Sequence, residues 1–186
     1  AKTIRGNIEK MARQFIIGEK TDEAVKNIAK VRKDGFAVVC DLLGEAPVSE
    51  AESDDYVAGY IELLEALQDE YKNWKPLDGG ADGLDWGHAP KINVSIKPSA
   101  FCSQAKPVDQ EGSVECIERR VAEIYRKVME MDGFLCIDME QYSYKEMTIE
   151  LFKRLRTNPE FRDYPHLGLV VQSYLTDTDN DLEEIL

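Results

Sequence analysis

The sequence predicts an α/β fold built on a parallel sheet, and three observations predict it. A short, β-rich, continuously apolar run at residues 36–45 has the pattern of a strand covered on both faces, and further strand-like runs follow at 91–101, 134–142 and 167–175. Between them lie longer segments whose apolar residues recur at intervals of three and four, the spacing of one helix face. The two kinds alternate four times, and right-handed βαβ connections turn that alternation into a parallel sheet, either open and doubly wound or closed as a (β/α)8 barrel. No GxGxxG follows any strand, which lowers the dinucleotide-binding form of the open sheet.

Two helices precede the first strand. KTIRGNIEKMARQF places Ile4, Ile8, Met11 and Phe15 on one face. The next helix begins at Thr21, carries Asp22 and Glu23 in its first turn, and ends at Gly35 after Lys33. FAVVCDLLGE (36–45) is the first strand. SEAESDDYVAGYIELLEALQDEYKNW then opens with Ser49 and Glu52 in capping-box spacing and aligns Tyr56, Tyr60, Leu64, Leu67, Tyr71 and Trp74, so it reads as a long amphipathic helix. KPLDGGADGLDWGHAP (75–90) is dense in Gly, Asp and Pro and aperiodic, hence a loop, and its aspartates miss the spacing of a calcium loop.

The alternation continues with strand KINVSIKPSAF (91–101) and a helix carrying Val114, Ile117, Val121, Ile124 and Val128 on one stripe. Strand FLCIDMEQY (134–142), helix YKEMTIELFKRLR, strand LGLVVQSYL (167–175) and the acidic start of a helix, DTDNDLEEIL, complete the chain. With 186 residues, 43% of them hydrophobic, there is enough apolar material for a real core.

The formal net charge is −13 and no Lys/Arg cluster forms a basic stripe, so nucleic-acid and anionic-membrane partners lack an electrostatic footprint. No signal-like segment opens the chain, and no apolar run approaches the roughly 20 residues of a membrane-spanning helix; a cytoplasmic protein without an integral membrane segment is expected. Cys40, Cys102, Cys116 and Cys136 are widely spaced, with no CxxC or His/Cys pair. Four free thiols and no zinc are expected.

Strand side chains alternate, so Asn93, Ser95 and Lys97 face one way while Ile92, Val94 and Ile96 face the other. The same parity joins Val39 to Asp41, Cys136 to Asp138 and Val170 to Gln172. Asp41, Lys97, Asp138 and Gln172 therefore arrive together near the carboxyl ends of four strands, where parallel barrels assemble their sites. An Asp41–Lys97 pair also serves as a plain tie between strands. A metal-dependent barrel hydrolase is the chemical rival, with Asp41, Glu45, Asp138 and Glu140 as oxygen ligands to a hard cation. His88 in a loop and His166 just before a strand argue against a His-rich metal barrel.

Five blocks, MARQFIIGE (11–19), DLLGEAPVSEAE (41–52), NVSIKPSAF (93–101), IDMEQY (137–142) and GLVVQSYL (168–175), resemble the proline dehydrogenase domain of bifunctional proline utilisation flavoenzymes, and they come in the family's order. The resemblance implies a (β/α)8-type barrel of which this chain holds about the first four strand–helix units. Residues 1–35 would be an amino-terminal helical segment and 36–186 the half-barrel. It also implies non-covalent FAD, oxidation of L-proline to Δ1-pyrroline-5-carboxylate, and a quinone as electron acceptor, with peripheral contact to the inner membrane. By the same resemblance Lys97 binds the proline carboxylate and Asp138 stands beside substrate and flavin. Met139 lines the flavin, Gln172 hydrogen-bonds its ring, Asp41 supports the site, and Glu45 pairs with an arginine as a gate. A half-barrel alone is expected to be inactive and, with two open sheet edges, to self-associate.

Overall fold

The computed structural model describes residues 2–12, 16–74, 77 and 90–186. Phe15, His88 and nearly all of the loop expected at 75–90 lie outside them. The chain divides into two compact units, Ala1–Val38 with Glu62–Ala89, and Val39–Ile61 with Pro90–Leu186.

The first unit holds α1 (Lys2–Ala12), α2 (Thr21–Lys33) and the later part of α3 (Glu50–Tyr71). The start of α2 at Thr21 is as the sequence predicts, and the chain turns at Gly35 with φ +91°, a conformation that glycine adopts without steric cost. Ile28, Leu64, Leu67 and Trp74 are buried, and the Arg32 guanidinium stacks 4.6 Å from the Trp74 ring centroid. The apolar face of α1 forms but stays uncovered: Ile4, Ile8 and Met11 are all exposed.

The second unit is built on a four-stranded parallel sheet in the order β1-β2-β3-β4. Its strands are β1 (Cys40–Asp41), β2 (Asn93–Ile96), β3 (Phe134–Ile137) and β4 (Leu167–Leu169). They alternate with α3, α4 (Gln110–Glu130), α5 (Lys145–Thr157) and α6 (Thr178–Ile185). Ser49 caps α3 by accepting from the Glu52 N–H at 3.2 Å, while the Glu52 carboxylate accepts from the Val48 N–H at 2.8 Å. Val94, Ile96, Leu135 and Ile137 are fully buried, as are Val114, Val121, Ile124 and Val128 along the predicted stripe of α4. None of the helices is long and apolar enough to cross a membrane, among the described residues.

Two expectations are corrected. The strands are shorter than the apolar runs that announced them. Residues 36–39 are not paired, and Phe36 and Val39 are exposed, because β1 lies at the sheet edge with only β2 beside it. After β2 the chain coils into a 3₁₀ turn, Pro98–Phe101, since Pro98 lacks the N–H that a longer ladder needs. Nor are all four cysteines free: Cys102 and Cys116 form a disulfide with Cα atoms 6.0 Å apart, while Cys40 and Cys136 remain thiols. The segment leaving β2 and the first half of α4 are brought side by side by the return of the helix, a proximity invisible in a spacing of 14 residues.

Candidate functional site

Register determines which side chains share a face. Asp41 pairs with Ser95, Ser95 with Cys136, and Cys136 with Gly168, so these four form one row on the face opposite the buried aliphatic layer. A Cβ at Gly168 would meet the tip of the Phe134 ring at 2.7 Å, so a side chain in that row would require the ring to shift. Two residues further on, the same parity brings Lys97 and Asp138 to the carboxyl ends of β2 and β3, as the sequence predicts.

There the Lys97 ammonium bonds directly to Asp41 and lies 3.8 Å from Asp138. Asp138 in turn accepts from Ser95 Oγ at 2.7 Å. Beneath them Tyr60, buried on α3, donates to the Ser95 carbonyl at 2.7 Å and lies 3.4 Å from Asp41. Burial works to lower the Lys97 pKa, but the hydrogen bond to Asp41 and the charges of Asp41, Asp138 and Glu45 outweigh it and leave the pKa above the ordinary lysine value. Lys97 is a permanent cation among carboxylates at neutral pH.

The loops around this group are tied to one another. Glu140, two residues past Asp138, accepts from both the Ser99 N–H at 2.8 Å and Ser99 Oγ at 2.5 Å, and so holds the exit of β2. Gln172 Nε2 donates to the Glu140 carbonyl at 3.0 Å, fastening the exit of β4 to that of β3. Gln172 Oε1 is buried with no partner among the described residues. Met139 is half-buried. Glu45 is exposed and makes no ion pair among the described residues; its loop is shaped by Gly44, where any side chain would overlap the Tyr56 hydroxyl.

Asp41, Lys97 and Asp138 are therefore brought together, Gln172 is joined to them through Glu140 and Ser99, and Glu45 makes no ion pair among the described residues but lies near enough for its charge to act on Lys97. The arrangement does not favour the metal-hydrolase reading, because the Lys97 ammonium occupies the position between Asp41 and Asp138 that a cation would take. The only His, Cys, Asp or Glu group with ligand atoms near enough to share an ion, among the described residues, is Glu50, Cys102 and Cys116. Sequence reasoning placed Ser95 on the polar face but missed its bond to Asp138, and it missed the Ser99–Glu140 clamp. Parity offered a signal for the first; nothing local offered one for the second.

The profile of the family described as proline dehydrogenase matches residues 24–186. The chain is 32% identical over 179 residues to a proline dehydrogenase of Deinococcus radiodurans, covering 92% of this chain and 50% of that protein. It is 26% identical over 164 residues to the bifunctional protein PutA of Escherichia coli, covering 88% of this chain and 12% of that one. The crystal structure of proline utilization A from Bdellovibrio bacteriovorus inactivated by N-propargylglycine superposes with a TM-score of 0.88 at 37% identity, over 99% of this chain and 19% of that one. The chain thus spans about half the length of the Deinococcus relative and a smaller share of the bifunctional ones. With parallel strand–helix units in the same arrangement and a matching profile over most of its length, the chain belongs to the proline dehydrogenase family.

Proposed function

We propose that this chain is the first half of the (β/α)8 barrel of an FAD-dependent enzyme that oxidises L-proline to Δ1-pyrroline-5-carboxylate and passes the electrons to a quinone. The observation that carries the reading is the Lys97 ammonium held by Asp41 and Asp138 at the carboxyl ends of parallel strands. An ammonium has three donors, and one is engaged by Asp41, so donors remain for the carboxylate of a small amino acid. Asp138, kept in place by Ser95, offers negative charge to the substrate's amine. Asp41 steers the lysine, and exposed Glu45 is the partner for an arginine that closes over the substrate.

The residues present fit a flavin. Gln172 Oε1 is a buried acceptor in need of a donor, which a ring N–H supplies, and Met139 offers a polarisable thioether to a flat ring. FAD, when bound, supplies the hydride acceptor. The chain's own part is placement and charge: Lys97 orients the carboxylate, Asp138 orients the amine, and the Ser99–Glu140–Gln172 chain holds the loops that carry them. The same reading puts the enzyme in the cytoplasm, with peripheral contact to the inner membrane where a quinone resides.

The test is anaerobic addition of L-proline to a protein in which the second half of the barrel is present, as continuing or co-expressed chain. Bleaching of flavin absorbance is expected; a colourless protein with stoichiometric metal would replace this reading with the hydrolase. The half-barrel alone is expected to reduce no dye with proline and to retain flavin poorly.

A further inference from the structure

A second cluster of reactive groups lies outside the Lys97 constellation. Cys116 on α4 lines an open groove of about 580 Å³ together with Gly112, Glu115, Arg119 and Asn158, whereas its disulfide partner Cys102 is buried. The buried guanidinium of Arg120 places Nη1 3.5 Å from Cys116 Sγ. The Glu50 carboxylate, 3.9 Å from the same sulfur, is bonded by Arg120 at 2.7 Å and by Ser103. Cys116, half-buried where Cys102 is buried, is thus also the cysteine whose sulfur faces a guanidinium N–H, which favours a thiolate, while Glu50 and Asp54 share that same cation. Glu50, Cys102 and Cys116 are close enough to share a soft metal ion, but Arg120 already brings positive charge to that spot, which favours thiol chemistry.

We infer that Cys116 is a thiol–disulfide exchange site for small thiols and disulfides, with Cys102 as the resolving sulfur. In the reduced chain the Cys116 thiolate attacks a small disulfide RSSR, forming a mixed disulfide and releasing RS⁻. Cys102 then attacks Cys116 Sγ, the S–SR bond breaks, a second RS⁻ leaves, and the Cys102 proton goes to solvent or to the leaving thiolate. Two protein thiols are oxidised and one small disulfide is reduced to two thiols; reduction of the link by a small thiol runs through the same mixed disulfide. The segment after β2 is also held by bonds that do not involve the sulfurs: Arg120 donates to the Phe101 carbonyl at 3.1 Å and Ser103 donates to Glu50. Cys40 and Cys136 are natural references: burial pushes the Cys40 thiol up to about 11 and raises that of Cys136 as well.

The test uses oxidised glutathione at neutral pH, with peptide mapping by mass spectrometry. Cys102→Ser is expected to accumulate a stable mixed disulfide on Cys116. Cys116→Ser is expected to leave the buried Cys102 unmodified over the same time. In the unsubstituted chain, reduction with dithiothreitol followed by oxidised glutathione should restore the Cys102–Cys116 link with no adduct left. Added to Cys102→Ser, Arg120→Gln should slow the reaction about threefold per unit rise in thiol pKa, since lost thiolate is only partly offset by greater nucleophilicity, and Arg120→Lys should restore most of the rate. Should Arg120→Gln fail to fold, the two cysteine variants decide alone. A first adduct on Cys40 or Cys136, or equal rates at Cys102 and Cys116, overturns the inference.

Discussion

Removing the Lys97 ammonium should weaken proline binding far more than it weakens the fold. The side chain is 20% exposed, and its carboxylate partners Asp41 and Asp138 are 34% and 29% exposed. When the ammonium is lost these partners rehydrate, so Lys97→Met, which keeps the length of the side chain, should cost about 1 kcal/mol of stability or less. A bound carboxylate would instead lose a charge-assisted hydrogen bond worth about 1.5 to 3 kcal/mol, and would face two uncompensated carboxylates. That corresponds to a rise in KM for proline of about 10- to 150-fold. The lysine's pKa is raised by folding, so its contribution to stability is complete below the ordinary value of 10.5 and is lost as pH climbs through the folded value. The stability difference between Lys97→Met and the parent should therefore be flat around neutral pH and shrink only in strong alkali. Urea titration measures the first quantity and steady-state kinetics of the barrel-complete protein the second. An unchanged KM would refute the assignment, and a fold lost outright would make Lys97 a structural tie.

Asp138→Asn keeps an acceptor for Ser95 Oγ but removes the charge, so turnover with proline should fall about 100-fold or more while the urea midpoint barely moves; full activity would make Asp138 structural. Glu140→Ala deprives both the Ser99 N–H and Ser99 Oγ of their acceptor, which should cost about 1 to 3 kcal/mol; an unshifted urea midpoint would show that the clamp holds nothing. The two sheet edges, with Val39 beside β1 and Val170 beside β4 exposed, should make this chain self-associate at low micromolar concentration. Light scattering from a stable monomer with cooperative unfolding would contradict that.

Much of the site was legible because it depends on local periodicity and on one long-range rule. Period two placed Ser95 with Lys97 and Cys136 with Asp138, and the convergence of parallel strand ends then brought Asp41, 56 residues before Lys97 in the chain, into contact with it. The capping box and apolar stripe located α3, and the acidic first turn and Gly35 located α2, for the same reason: each hydrogen bond that makes these helices spans only a few residues. The ends of β1 were not legible, because an apolar run such as FAVVC reads alike in the middle of a sheet and at its edge, and only the number of neighbours decides how much of it pairs. The Cys102–Cys116 link, the Ser99–Glu140 clamp and the bonds of Arg120 to Glu50 and Asp54 were hidden for a related reason. They depend on where α4 returns and where two strand exits meet in space. Sequence by itself determined which residues share a face and a strand end; only tertiary structure decided which of them touch, because contact is set by how whole elements pack and not by the spacing of residues within any one of them.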